Sequence, residues 1–357
     1  MDKDLISIQE ARECVRRAKA AGEALARMEQ GELDKLVAAV ARVGKDHARL
    51  LAQDAVEETG FGILEHKVIK NLFAAERVFD AIKDQKVVGL LGKNEQEKTW
   101  DFGVPMGVVA ALVPSTNPTS TVLYKAMIAL KAGNPVVFSP HPNDLCCIVH
   151  AAQLVAEAVE SAGGPKDAVM VLKEPTLEGT KELMSHRDTK LILATGGGGM
   201  VRAAYSSGTP AIGVGAGNGP AYFHGSCDLE RSVKQVLDSK TFDNGTICAS
   251  EQSVVVTADF APKVRAEFER QGGYFLSKDQ RDALAGFVLR GNGTMNPAIV
   301  GKSVAELCRL SGLKGVPEGT RVLLVPEEGV GKGYPFSNEK LGLMLAYYVE
   351  QDEQKAL

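Results

Sequence analysis

From residue 104 onward the chain repeats one pattern, a short apolar run followed by a segment with helical spacing. The runs are "GVVAALVP", "PVVFS", "AVMVL", "LILATG" and "AIGVG", and the helical segments after them are 120–132, 144–162, 177–186, 200–207 and 229–240. A strand that is apolar on both faces must be covered on both faces, and a helix between successive strands is the crossover that parallel pairing requires. Such a chain is α/β and folds as an open, doubly wound sheet of the Rossmann type, with ligands at the carboxyl ends of the strands. Ahead of the pattern, residues 5–82 space their apolar positions by three and four (Leu25, Met28, Leu33, Leu36, Val37, Val40), which predicts helices.

After Lys240 the texture changes. A strand at 252–257, helices at 261–271 and 280–289, a short strand at 298–300, a helix at 304–311 and a strand at 321–325 are predicted, forming a second α/β domain. The expected division is therefore 1–240 for the N-terminal helices and cofactor domain, and 241–357 for the second domain; a chain of 357 residues can hold two cores. The formal charge of −4 provides no basic field to gather nucleic acid or anionic lipid. The apolar runs are strand-length, far below the ~20 residues of a membrane helix. The N-terminus "MDKDLISIQEARECVRRAKA" is charged and helix-periodic, without the apolar core of a signal peptide. A cytoplasmic protein with no nucleic-acid or membrane partner is expected.

Four strand ends carry residues suited to close backbone approach. "LVPSTNPTS" (112–120) sets Pro114, Ser115, Thr116 and Asn117 between a strand and a helix, where amides and hydroxyls favour anionic or carbonyl oxygens. Thr119 and Ser120 can be read as ordinary helix caps; Asn117 is left unexplained by that reading. "SPHP" (139–142) ends the second strand between two prolines that fix its edge. "TGGGGMVRAA" (195–204) and "GVGAGNGPAYF" (213–223) are glycine-rich, although neither is a GxGxxG fingerprint with an acidic residue about twenty positions on. In one parallel sheet these four segments share a rim.

The six cysteines form no CxxC pair and have no histidine spacing suited to zinc, so no metal site is predicted and free thiols are expected. One of them stands apart by context. In "KTFDNGTICASEQSVVV" (240–256), Cys248 lies between an Asp-Asn-Gly turn and an apolar strand.

Taken together, "VPSTNPTS", "FSPHP", "LATGGGGMVRAAYSSGTPAIGVGAGN" and "KTFDNGTICASEQSVVV" resemble the CoA-acylating aldehyde dehydrogenases, and among them the aldehyde dehydrogenase half of the bifunctional aldehyde-alcohol dehydrogenases. The likeness runs from "ETGFGILEHKVIKN" at 58–71 to "PFSNEKLGLMLAYY" at 335–348. The resemblance implies NAD-linked oxidation of a short-chain aldehyde to an acyl-CoA. Acetaldehyde is the default substrate, with propionaldehyde or sulfoacetaldehyde as alternatives. It implies that Cys248 is the nucleophile and that the Asn117 amide and the Cys248 backbone N–H stabilise the oxyanion. Cofactor contacts are implied for Pro114, Ser115 and Thr116, for Ser139, Pro140 and His141 on the adenosine side, for Gly196, Gly197, Gly199 and Gly215, and for Glu339 at the nicotinamide ribose. Glu339 has the alternative reading of a surface helix charge, and Glu251 is read as a structural partner of the turn.

Hydrolytic members of the family carry a glutamate base in the segment matching "GVGAGN". Here residues 189–227 contain no Asp or Glu at all. Without a base water is a poor acceptor, whereas the thiol of coenzyme A is intrinsically nucleophilic, so thiolysis is expected. A phosphate-accepting reductase would need an arginine-rich cradle near Cys248, and none is evident. Family members continue beyond the segment matching "LAYY". The C-terminal part of the fold is thus expected to be missing, the full-length form is expected to be a homo-oligomer, and a truncated non-catalytic assembly or cofactor-binding domain stays open as an alternative.

Overall fold

The computed structural model describes residues 2–290, 295–331 and 333–357. The chain divides into two compact units, one of Met1–Gly60 with Leu64–Gly215 and one of Phe61–Ile63 with Ala216–Leu357.

The first unit begins with the predicted helices, Lys3–Leu25, Gln30–Asp46, Ala48–Thr59 and Leu64–Leu72, the last running on through a π-helical turn at Phe73–Val78 to Phe79–Ile82. A two-stranded antiparallel hairpin follows, β1 (Gly89–Asn94) and β2 (Thr99–Gly103). Five parallel strands come next: β3 (Val108–Leu112), β4 (Val136–Ser139), β5 (Val169–Val171), β6 (Thr189–Thr195) and β7 (Ala211–Val214). Their spatial order is β5-β4-β3-β6-β7. Crossovers are the helices Pro118–Lys131, Leu145–Ser161, Leu177–Ser185 and Gly198–Tyr205.

Both faces of the central strands β3 and β4 are covered, as their unbroken apolar runs require. Val109, Ala111, Val136 and Phe138 pack with helices Gln30–Asp46, Pro118–Lys131 and Leu145–Ser161. Val108, Ala110, Leu112 and Val137 point the other way, onto Ala11, Val15 and Ala18 of the first helix and Leu183 of helix Leu177–Ser185. One charge sits inside these layers. Lys125 is 2% exposed and donates to the carbonyls of Leu112 (2.7 Å) and Leu193 (2.8 Å), tying the ends of β3 and β6 together. Burial pulls its pKa down to about 7.

The second unit holds β8 (Gly219–Phe223), β9 (Glu251–Thr257), β10 (Gly273–Phe275), β11 (Val322–Pro326) and β12 (Met344–Glu350), all parallel, in the order β10-β11-β12-β9-β8. Helices Leu229–Thr241 and Ala261–Arg270 pack on one face against Val254, Val256, Val322, Leu324 and Leu345. Lys278–Val288 and Val304–Ser311 pack on the other against Leu323, Val325, Met344 and Ala346.

Three expectations are corrected. The division falls after Gly215 instead of after Lys240, because "GPAYF" is β8, which pairs with β9, so β8 and helix Leu229–Thr241 belong to the second unit. The fifth β-α unit is therefore not a crossover within the first sheet. The strand predicted at 298–300 is a 3₁₀ turn, Pro297–Ile299; Pro297 fixes the backbone and the Asn296 side chain accepts from the Ala298 N–H at 3.1 Å.

Helices Lys3–Leu25 and Leu177–Ser185 touch where Gly179 leaves room for Ser7; a Cβ built on Gly179 would stand 1.9 Å from Ser7 Oγ. Gly179→Ala should therefore lower stability by about 1–3 kcal/mol through overpacking. Urea unfolding measures it, and an unchanged midpoint would mean that the two helices separate without cost.

Candidate active site

In the first unit the chain runs outward from β3 through β4 to β5, then returns across β3 to β6 and β7. The strand order thus reverses between β3 and β6, and a doubly wound sheet binds its ligand at the carboxyl ends beside such a reversal. The segments leaving those two strands are 113–117 and 196–199.

Asn117 occupies the N-cap position of helix Pro118–Lys131, but its side chain makes no capping bond. Its Oδ1 accepts from Lys70 Nζ at 2.7 Å, and its Nδ2 donates to Thr116 Oγ1 at 3.1 Å. The helix does not use Thr119 as a cap either; the Thr119 hydroxyl donates to Asn71 Oδ1 at 2.8 Å. Lys67 holds the Thr116 carbonyl at 2.5 Å. Lys67 and Lys70 are 2% and 8% exposed. In the sequence they read as solvated charges, and the available signal was their spacing of three with Asn71 next to the second, one face of one helix.

After β4, Ser139 and Pro140 are buried and His141 is exposed. Ser139 shares a 2.8 Å hydrogen bond with Thr180 Oγ1, leaving His141 as the side chain of the three that faces outward. Ser115 Oγ donates to Asp144 Oδ1 at 3.3 Å. Asp144 is fully buried, its Oδ2 lacks a protein partner, and burial raises its pKa.

After β6, among the described residues and apart from neighbouring backbone, Gly197, Gly198 and Gly199 have no atom within 4 Å of where a Cβ would stand, Gly196 meets Met200 at 3.7 Å, and none of the four has positive φ. Packing does not demand glycine here, and the room left at the start of helix Gly198–Tyr205 suits a bulky ligand such as a dinucleotide. Gly213 differs, since a Cβ there would strike Val201 at 2.6 Å. Gly215 has open space out to Val201 at 4.0 Å.

In the second unit Cys248 is exposed, on a turn just ahead of β9. The turn is built by three successive left-handed residues, Asp243 (φ 51), Asn244 (φ 52) and Gly245 (φ 76). Thr246 Oγ1 donates to the Asp243 carboxylate at 2.5 Å, the Ile63 N–H donates to Asp243 Oδ1 at 2.8 Å, and Asn244 Nδ2 donates to the Gly301 carbonyl at 3.0 Å. These bonds hold a conformation that costs about 1–2 kcal/mol per non-glycine residue. On the far side, a Cβ on Gly217 would lie 2.0 Å from the Cys248 carbonyl oxygen, so the Gly217 backbone is seated against the cysteine.

Glu339 reaches the same place. Its Oε1 accepts from the Gly217 N–H at 3.0 Å, and Asn218 Nδ2 donates to the Ser337 carbonyl at 2.8 Å. Burial raises the Glu339 pKa, while the Gly217 N–H, Lys240 and Lys340 pull it down. Glu251 has one buried carboxylate oxygen without a protein partner among the described residues, and therefore does not brace the turn through that atom.

The other cysteines are in different surroundings. Burial pushes Cys14 up to about 12 and raises Cys147 and Cys308. Cys146 is exposed, but the Glu58 carboxylate beside it disfavours the thiolate. Iodoacetamide near pH 8 should accordingly alkylate Cys248 at least ~10-fold faster than Cys14 or Cys147, because the thiolate is the reacting form. Peptide mass spectrometry over time reads the order, and faster labelling at Cys14 would refute this account of the thiol environments.

The sequence model of the aldehyde dehydrogenase family matches residues 4–280. The bifunctional aldehyde-alcohol dehydrogenase AdhE of Escherichia coli K12 is 44% identical over 351 residues, which are 98% of this chain and 39% of that protein. This chain thus spans well under half of that relative. A probable aldehyde dehydrogenase from Listeria monocytogenes EGD-e superposes with a TM-score of 0.97 at 53% identity, over 100% of this chain and 78% of its own. An acetylating aldehyde dehydrogenase from Geobacillus thermoglucosidasius gives 0.95 at 47% identity, over 99% and 78%. With a family model matching most of its length and relatives of this identity aligned over nearly all of it, the chain belongs to the aldehyde dehydrogenase family.

Proposed function

We propose that the protein oxidises a short-chain aldehyde, acetaldehyde by default, to an acyl-CoA with NAD, through a thioester on Cys248. The observation that carries this reading is the exposed Cys248 on its strained turn, in an aldehyde dehydrogenase fold whose residues 189–227 hold no carboxylate. The acetylating relative from Geobacillus supports the choice of acceptor.

The Cys248 thiolate adds to the aldehyde carbon and forms a tetrahedral thiohemiacetal. The negative oxygen accepts hydrogen bonds from Asn117 Nδ2 and the Cys248 N–H, each such donor being worth roughly 3–4 kcal/mol in comparable chemistry. Collapse of the oxyanion expels the hydride from the former aldehyde carbon, for which bound NAD⁺ would be the acceptor, and leaves the acyl group as a thioester on Cys248. The open glycines 197–199 with Gly196 and Gly215, the 114–116 turn, His141 with the backbone of Ser139 and Pro140, and the free end of Glu339 would hold NAD⁺. The CoA thiol then loses its proton to solvent and attacks the thioester carbon as the thiolate, forming acyl-CoA and releasing the Cys248 thiolate. Thiolysis is favoured over hydrolysis because residues 189–227 offer no carboxylate to activate water.

Self-association is proposed as well, supported by Leu91, Trp100 and Phe102 exposed on the β1–β2 hairpin. A cytoplasmic setting goes with it; among the described residues no helix is long and apolar enough to cross a membrane.

Cys248→Ala should abolish aldehyde-dependent NADH formation while Cys146→Ala keeps it within about twofold, since Cys146 lies outside the reacting groups. Comparable activity in the Cys248 variant would end this mechanism. A second experiment tests the acceptor. With aldehyde and NAD⁺ but no CoA, stopped-flow absorbance should show a burst of about one NADH per site and then a stall, lifted on adding CoA. Continuous NADH production with release of free acid would instead identify a hydrolytic enzyme. Running acetaldehyde, propionaldehyde and sulfoacetaldehyde in the same assay ranks the substrates by kcat/KM.

A further inference from the structure

The geometry points to Lys70 as a positioning residue for the oxyanion donor, acting through Asn117; this rests on the reaction proposed above. A carboxamide can turn either end toward a neighbour, and only one end is useful to an oxyanion. Lys70 decides the matter because an ammonium has three donors and no acceptor, so the Asn117 atom 2.7 Å from its Nζ has to be the oxygen. The NH₂ end is thereby fixed on the opposite side. Thr116 Oγ1 takes one of its hydrogens at 3.1 Å, which sets the plane of the amide and leaves the second N–H as the donor.

Charge adds to orientation. A cation on the carbonyl oxygen draws electron density from the amide and makes its N–H a stronger donor, and the effect is largest where water is excluded. Lys70 is 8% exposed, so its hydrogen bond is little screened.

The support is built from one helical face. Lys67, one turn earlier, holds the Thr116 carbonyl at 2.5 Å. Asn71, next in the chain, donates to the Ala48 carbonyl at 2.9 Å and accepts from the Thr119 hydroxyl at 2.8 Å. Residues 67, 70 and 71 of helix Leu64–Leu72 thus grip residues 116, 117 and 119, and the amide of Asn117 cannot rotate without breaking the contact to Lys70.

The test compares Lys70→Met, Asn117→Ala and the double variant in steady-state kinetics of the enzyme with aldehyde, NAD⁺ and CoA. Lys70→Met should lower kcat roughly 10- to 100-fold while the KM for NAD⁺ stays within about threefold, because the loss is felt on charge that develops in the transition state. The double variant should be no slower than Asn117→Ala, since Lys70 has nothing to position once the amide is gone. Losses that multiply, or an unchanged kcat in Lys70→Met, overturn the inference. If Asn117→Ala itself retains full kcat, the oxyanion assignment fails first and this inference falls with it, an outcome distinct from the other two. Should Lys70→Met not fold, Lys70→Gln carries the same comparison, its neutral amide donating to Asn117 without the charge, and full kcat in that variant overturns the polarising part.

Discussion

The ammonium of Lys125, donating to the carbonyls of Leu112 on β3 and Leu193 on β6, is the contact on which the architecture of the first unit rests. Where the strand order reverses, two neighbouring strands send their connections to opposite faces, and Lys125 bonds a carbonyl on each, Leu112 at the end of β3 and Leu193 within β6. A buried lysine serves both at once. The cost is desolvation of its charge, seen in a pKa drawn down to about 7. The helix that carries Lys125 opens at Asn117, so strand ends, clamp and amide form one rigid piece.

The same device recurs in the second unit. Lys340 donates to the carbonyls of Phe336 and Asn338, the latter at 2.7 Å, and Lys240 donates to the Lys340 carbonyl at 3.0 Å and to Gln252 Oε1 at 3.2 Å. Burial brings both pKa values to about 7. These bonds stitch the segment carrying Glu339 to the start of β9, directly after the turn that carries Cys248. Cations buried against backbone carbonyls, and not apolar packing alone, give the loops of this fold their shape.

The strands β3, β4 and β6 were legible in the sequence because a strand covered on both faces is a continuous apolar run; β7 reads the same way although Ile212 and Val214 are exposed at the sheet's edge. β8 was not, since "GPAYF" contains the two residues that argue against a strand, and it is tolerated as the edge of its sheet. The β1–β2 hairpin was missed because Trp100 and Phe102 are exposed and its pattern has no buried side to betray it. The sequence singles out Cys248 by its turn, and it is exposed; it singles out Asn117 as unexplained by capping, and its side chain makes no capping bond. Lys67, Lys70 and Lys125 were not legible: a lysine on a helix looks the same in sequence whether it meets water or a carbonyl, and only the fold places an oxygen at its tip. Glu339 was singled out as a ribose ligand; its contact with Gly217 depends on a loop 122 residues away in sequence.

The Asp243-Asn244-Gly245 turn has a consequence for how such chains are recognised. Left-handed backbone angles at three successive positions admit few side chains, with Asn, Asp and Gly foremost. The letters of this signature therefore record dihedral angles, and a descendant that had lost its reaction but kept its architecture would spell the turn the same way. Among homologues, "DNG" reports ancestry of shape, and it would do so whatever residue stood three positions further on.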